Sequence, residues 1–157
     1  MNDRDVVNYV RDFLRTNLED PLTQYGEATR IWIHTDNPLA MAKYPRIKIS
    51  KRGPTNNQII SMGENDFSEW RSMVIDIEIW VKLGFKWKDN DDEYVSNAEF
   101  IKEYYDKIWL LLKANHSWFR RTYGITGFKN MGEADPEIDV SEQFYKGILP
   151  LRVWYFV

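Results

Sequence analysis

Arg71-Ser-Met-Val-Ile-Asp-Ile-Glu-Ile-Trp-Val-Lys82 carries the strongest strand signal in the chain. Side chains alternate across a strand, so Ile75, Ile77, Ile79 and Val81 share one face while Asp76, Glu78, Trp80 and Lys82 share the other. The first face is core. The second combines two carboxylates, an indole and an ammonium group, and its role is the functional question the sequence poses.

Upstream, Arg46-Ile-Lys-Ile-Ser-Lys-Arg52 alternates in the same way, with Ile47 and Ile49 inward and Arg46, Lys48 and Ser50 outward. Residues 43–52 hold five bases (Lys43, Arg46, Lys48, Lys51, Arg52) and no acid. On a neighbouring strand, Arg46 and Lys48 would face Asp76 and Glu78, and opposite charges across strands contribute roughly 0.2–1 kcal/mol per pair. Gly53-Pro-Thr-Asn-Asn57 predicts a turn, with Ile59, Ile60 and Met62 as a short return strand before a loop at Gly63. Asp66-Phe-Ser-Glu-Trp70 then leads into the quoted strand. Earlier still, Thr29-Arg-Ile-Trp-Ile-His34 reads as a short strand, Ile31 and Ile33 opposite Trp32 and His34. Asp36-Asn-Pro38 and Tyr44-Pro45 break it.

Two helices frame these strands. Val6, Val10, Phe13, Leu14 and Leu18 recur at helical spacing, with Asp3 or Asp5 suited to the start and Pro21 to the stop. Ser96-Asn-Ala-Glu99 is a capping box that opens a helix to about Ala114. Phe100, Ile101, Tyr104, Ile108, Leu111 and Leu112 form its stripe, widened by Tyr105 and Trp109, and Asn115 suits a left-handed cap. Between strand and helix, Gly84 to Glu93 has no period and many charges, which predicts a mobile loop. Its Asp89, Asp91 and Asp92 lack the glycine and terminal Glu of an EF-hand. After Asn115 the chain reads as β-structure: an aromatic, β-branched run over Trp118–Phe128 cut by Gly124 and Gly127. Met131 to Val140 follows with Glu133, Asp135, Glu137, Asp139 and no base. Phe144 to Val157 predicts a long strand anchored within the sheet, with Pro150 implying an edge position or a bulge. The fold expected is α+β, a mostly antiparallel sheet with two main helices packed on it, as a single domain over residues 1–157.

Composition narrows function. Net charge is −3, so no global basic field recruits nucleic acid or an acidic membrane. The absence of cysteine excludes disulfides, thiolate metal sites and Cys nucleophiles. His34 and His116 lie far apart in sequence, and His34 as a general base lacks a visible nucleophile. His116 suits the negative end of a helix dipole. No apolar run approaches the roughly 18 residues that span a bilayer and no signal-peptide core is present, so a soluble intracellular protein is expected. An aromatic share of 15% with seven Trp favours broad buried or interfacial surfaces. The serine elbow, the phosphate-binding glycine loop and the HExxH pair are missing, so no catalytic, cofactor-binding or metal residue is assigned.

Asp76 and Glu78 are the one catalytic temptation. They resemble the metal-binding strand of restriction-type nucleases, but Trp80 stands where that pattern has its lysine, and Lys82 lies further on. Carboxylates neutralised by Arg46 and Lys48 account for the same residues. A metal-dependent nuclease is therefore the alternative function, beside a binding module with a pocket between the sheet and the Tyr104–Trp109 helix.

The order of elements resembles the tail-terminator (tail-completion) proteins of long-tailed viruses. The resemblance is carried by Tyr44-Pro-Arg-Ile-Lys-Ile49, the strand Ile75-Asp-Ile-Glu-Ile-Trp-Val81, the helix capped at Ser96 and a closing strand Leu149-Pro-Leu-Arg-Val-Trp-Tyr155. It covers most of the chain as an order of elements. It implies a non-enzymatic virion protein at the tail end, assembled in the host cytoplasm: a ring, hexameric in that family, that caps the tail tube, stops its polymerisation and joins tail to head. The implied partners are the chain itself, a tail-tube protein and a head–tail connector protein, with no membrane and no sequence-specific nucleic acid. The residues themselves supply a candidate subunit contact: basic Arg46, Lys48, Lys51 and Arg52, the Asp76, Glu78 and Trp80 face, and acidic Glu133, Asp135, Glu137 and Asp139. In a head-to-tail ring one patch meets the other on the neighbour, although both also have the option of meeting within one subunit. Assembly would then weaken with salt.

Overall fold

Asn2 opens the first helix, α1 (Asp3–Asn17), in a computed structural model that describes residues 1–27, 30–35, 43–61 and 67–157. The Asn2 side chain accepts the Asp5 N–H at 3.0 Å and Asp5 Oδ2 accepts the Asn2 N–H at 2.8 Å, a reciprocal capping box one residue earlier than predicted. Val6, Val10, Phe13 and Leu14 are buried, and Pro21 begins a 3-10 turn (Pro21–Tyr25) closed by Gly26 at φ +79°.

The predicted strand over 29–34 shrinks to β1 (Ile33–His34), parallel to the next strand, and its alternation fails. Ile31 is 66% exposed while Trp32 is buried against the edge of the Tyr104 ring, centroids 6.0 Å apart. Without a ladder before Ile33 no pleat enforces alternation, and the larger indole takes the core position. Thr29, Asp36–Pro38, Met62, Gly63 and Asp66 lie outside the described residues.

β2 (Arg46–Ser61) and β3 (Phe67–Lys82) form one long antiparallel pair. The turn predicted at residues 53–57 is a bulge instead. The register slips between Arg52 and Asn56, and the strand continues through Ile59 and Ile60, which pair with Glu69 and Ser68. Gly53 at φ +68° supplies the left-handed residue that such an insertion uses. Consequently the return strand is the far half of β2, and residues 67–70 belong to β3.

The expected mobile loop is a small hairpin, β4 (Trp87–Lys88) and β5 (Tyr94–Val95). Trp87 is buried among Phe100 and Tyr104, which fastens it. In α2 (Asn97–Ala114) the Glu99 N–H donates to Ser96 Oγ at 3.2 Å, one half of the predicted box. Asn115 has φ −107°, not the left-handed value expected, and the chain restarts at once as α3 (His116–Tyr123). This third helix replaces the first part of the predicted β run. Phe119 and Tyr123, one turn apart, pack toward Phe13, Tyr9 and Phe128, and Gly124 at φ +70° caps the helix.

β6 (Ile125–Asn130), β7 (Glu137–Asp139) and β8 (Phe144–Phe156) complete the molecule. The sheet order is β1-β2-β3-β8-β6, with β7 also beside β8. The fold is α+β, with a mostly antiparallel sheet. β8 is an interior strand, so Pro150 is neither at an edge nor in a bulge. Its carbonyl accepts the Met131 N–H at 3.0 Å, and a strand residue's nitrogen and carbonyl point the same way. The missing donor therefore falls where β6 has ended at Asn130 and β7 has not begun. On the helix side, Ile75, Ile77, Ile79, Val81, Leu149, Leu151 and Val153 are fully buried. Each contributes roughly 1.5–3 kcal/mol relative to exposure.

Candidate functional site: the uncovered sheet face

The helices α1, α2 and α3 lie on one side of the sheet. Ile101 and Tyr105 of α2 press on Gly147, Asp3 of α1 reaches Lys51 and Tyr155, and Phe119 of α3 meets Phe128. Among the described residues no helix or further strand covers the other side, although Tyr44 stacks on Phe144 there. The register lays out that open face row by row across β2, β3 and β8: Arg46–Trp80–Lys146, Lys48–Glu78–Ile148, Ser50–Asp76–Pro150, Arg52–Val74–Arg152. Glu137 of β7 stands beside Lys146 and Asp139 beside Phe144. Lys129 of β6 stands beside Arg152.

The predicted charge ladder exists with a different pairing. Arg52 Nε meets Asp76 at 2.7 Å, and Lys146 Nζ meets Glu78 at 3.3 Å. Lys48 stands opposite Glu78, whereas Arg46 stands opposite Trp80. Its guanidinium lies 4.2 Å from the Tyr44 ring and 5.6 Å from the Trp80 ring, and donates to the Tyr44 hydroxyl at 2.9 Å. Lys146 lies 5.1 Å from the other flank of Trp80, and Phe144 packs against it with centroids 4.7 Å apart. Asp76 Oδ1 and Trp80 Nε1 are buried without a hydrogen-bond partner among the described residues.

The two patches proposed from sequence are each divided by the sheet. Lys51, opposite core residue Ile75, faces the helices and binds Asp3 at 2.5 Å, and Lys43 pairs with Glu27. Asp135 reaches Lys102 of α2 at 3.4 Å, while Glu137 and Asp139 edge the open face. Glu133 has no cation within 4 Å among the described residues. Ser141 Oγ and the Glu142 N–H hold the Asp139 carboxyl below its usual range. Ile138, between these acids on β7, is 51% exposed, and Val140, just past its end, 72%.

No protein-family model matches the chain, and no curated protein sequence matches it.

Asp76 and Glu78, the nuclease candidates, both engage cations of neighbouring strands, and among the described residues no group of three or more His, Asp or Glu is gathered for a metal. The His34 imidazole is held below its usual pKa by burial and by the charges of Arg15, Arg46 and Arg30, with Nε2 unpartnered. The space between the sheet and residues 104–109 is filled by Tyr104, Tyr105 and Ile108, all buried. A cavity of about 590 Å³ lies elsewhere, lined by Arg15, Leu18, Asp20, Arg30 and Trp32. Arg30 there gives four hydrogen bonds, two to Asp20 and one each to the Lys43 and Pro45 carbonyls.

Sequence reading missed the β8 contribution to the open face: Lys146, Arg152 and Trp154, with Tyr44 and Phe144 beside Trp80. Their parity, alternating with Leu149, Leu151 and Val153, is the signal that identifies them.

Proposed function

We propose that the chain is a structural assembly protein that works by self-association, as a tail-terminator ring that caps a tail tube, ends its polymerisation and offers the surface that joins tail to head. The observation that carries self-association is the one-sided sheet. Three helices bury one face, while among the described residues the other presents half-buried Trp80 and Ile148, with Phe144 packed against Trp80, to no helix or further strand. Aromatic residues at the centre of such a face, rimmed by charge, are the composition of an interface.

The exposed Ile138–Val140 edge supplies a second, unlike surface, and joining unlike surfaces head to tail generates rings. The step from ring to tail terminator rests on the resemblance of residues 44–49, 75–81, 96–114 and 149–155 to that family. Electron microscopy of the purified protein, alone and with the tube-forming protein of the same genome, tests the whole reading. Rings, and tubes closed by a ring at one end, are expected. Tubes of unrestricted length with bare ends contradict it.

A further inference from the structure

The open face has two chemically different halves. From Lys82 to Asp76 it carries the carboxylates Glu78 and Asp76, with Glu137 and Asp139 at its edge. Beyond Asp76 the rows read Arg52–Val74–Arg152–Lys129, then Ser72–Trp154–Gly127, then Trp70–Phe156. Among the described residues, no carboxylate occupies these rows. Arg52 reaches back to Asp76, but Arg152 meets the Ser72 hydroxyl at 3.3 Å, and neither it nor the exposed Lys129 has an acid within 4 Å among the described residues.

Two indoles adjoin this cationic row. Trp154 leans over β6 at Gly127, where a Cβ would lie 3.7 Å from its Cε3. Trp70 Nε1 donates to Thr126 Oγ1 at 3.3 Å, and that hydroxyl donates to the Trp154 carbonyl at 3.3 Å. Both are half-buried, with part of each ring open to solvent. Unlike Trp80, neither has a cation or a second ring against its face among the described residues.

We propose that this half-face binds single-stranded nucleic acid without sequence preference, Arg152 and Lys129 taking phosphates while Trp154 and Trp70 stack bases. The row of cations crosses four strands, roughly 14 Å at the spacing of paired strands. Every base has a π-face for an indole, whereas an acidic peptide would use the cations and leave both rings idle. Arg46 and its neighbours show no such arrangement, because their indole is already flanked by Arg46 and Lys146. A net charge of −3 confines the attraction to this patch, so binding is weak and steeply salt-dependent.

The site does not rest on the ring, and binding by a monomeric protein would sink the assembly reading while leaving this one standing. The probe is a short fluorescein-labelled oligothymidylate, followed by anisotropy and by quenching of tryptophan emission. Binding at low salt with a log–log salt slope of about −1.4 is expected for two phosphates on a single strand. Lys129→Gln, at an exposed position, and Arg152→Gln should each weaken binding several-fold and flatten the slope by about 0.7. Lys113→Gln, on the helical layer, should change neither.

Absence of binding at low salt overturns the proposal. So does an equal loss in Lys113→Gln, or binding that Lys129→Gln and Arg152→Gln leave intact. Displacement of the oligonucleotide by a polyglutamate peptide of matched charge, without tryptophan quenching by either, assigns the face to an acidic protein segment and overturns it too.

Discussion

Asp3 ties three elements together: its carboxylate receives the Lys51 ammonium from β2 and the hydroxyls of Thr55 and Tyr155. Burial pushes the Asp3 carboxyl up, but those hydrogen bonds and the Lys51 charge outweigh it and hold the group down at about 2. Because the folded value lies below the ordinary 3.8, this contribution is present in full above the unfolded pKa and is lost as pH falls toward 2. Asp3→Asn should cost about 1–3 kcal/mol at neutral pH, as expected for hydrogen bonds to a charged group. It should also flatten the acid limb of the stability curve between roughly pH 4 and 2. Urea titrations across pH check both, and an unchanged acid limb would contradict the hub. Gly147 is the second residue of this kind, because a Cβ there meets the Tyr105 hydroxyl and the Ile101 side chain. Gly147→Ala is expected to lower the urea midpoint, at a cost of about 1–3 kcal/mol for overpacking. An unaltered midpoint would mean that α2 does not approach β8 so closely.

At the scale of elements, the β4–β5 hairpin depends on Trp87, buried beneath Phe100 and Tyr104 with Lys107 5.1 Å from its ring. Trp87→Ala should cost about 3–5 kcal/mol and strip amide protection from residues 86–95 first. Hydrogen exchange reads this directly, and full protection in the variant would count against the anchor. This hairpin also shows where the sequence was hard to read: its strands are two residues each, too short for any period, and one indole does the work of a core. The long strands were legible because Ile47, Ile49 and Ile75–Val81 alternate over enough residues to fix a face. The Gly53–Asn57 cluster misled because a bulge and a turn both call for glycine at positive φ, and only the partner strand distinguishes them. Residues 118–123 have the aromatic content of a strand, although Phe119 and Tyr123 have helical spacing. Pro150 marks a break in pairing on a strand that does lie within the sheet, but the break is neither an edge nor a bulge of β8; it belongs to β6 and β7. Of the candidate site, the β3 half was legible from its parity. The β8 half has a parity of its own, but that β8 flanks β3 is a matter of topology that no local pattern carries.

At the scale of the molecule, opposite charges largely settle within one subunit: Arg52 on Asp76, Lys146 on Glu78, Lys51 on Asp3, Lys43 on Glu27. This changes the expected salt response of assembly. With these bases already engaged, subunit contacts rest more on Trp80 and its aromatic neighbours and on Ile138 and Val140, and salt should loosen the ring only shallowly. The double substitution Ile138→Lys and Val140→Lys, at exposed positions, should abolish assembly while leaving the melting temperature of the subunit within a few degrees. Native mass spectrometry of the unmodified protein across a salt series, with that variant beside it, is the most direct test of ring assembly. The account predicts one closed oligomer, six chains by the family resemblance, persisting through moderate salt and reduced to monomer in the variant. A strict monomer at every concentration and salt level would contradict it.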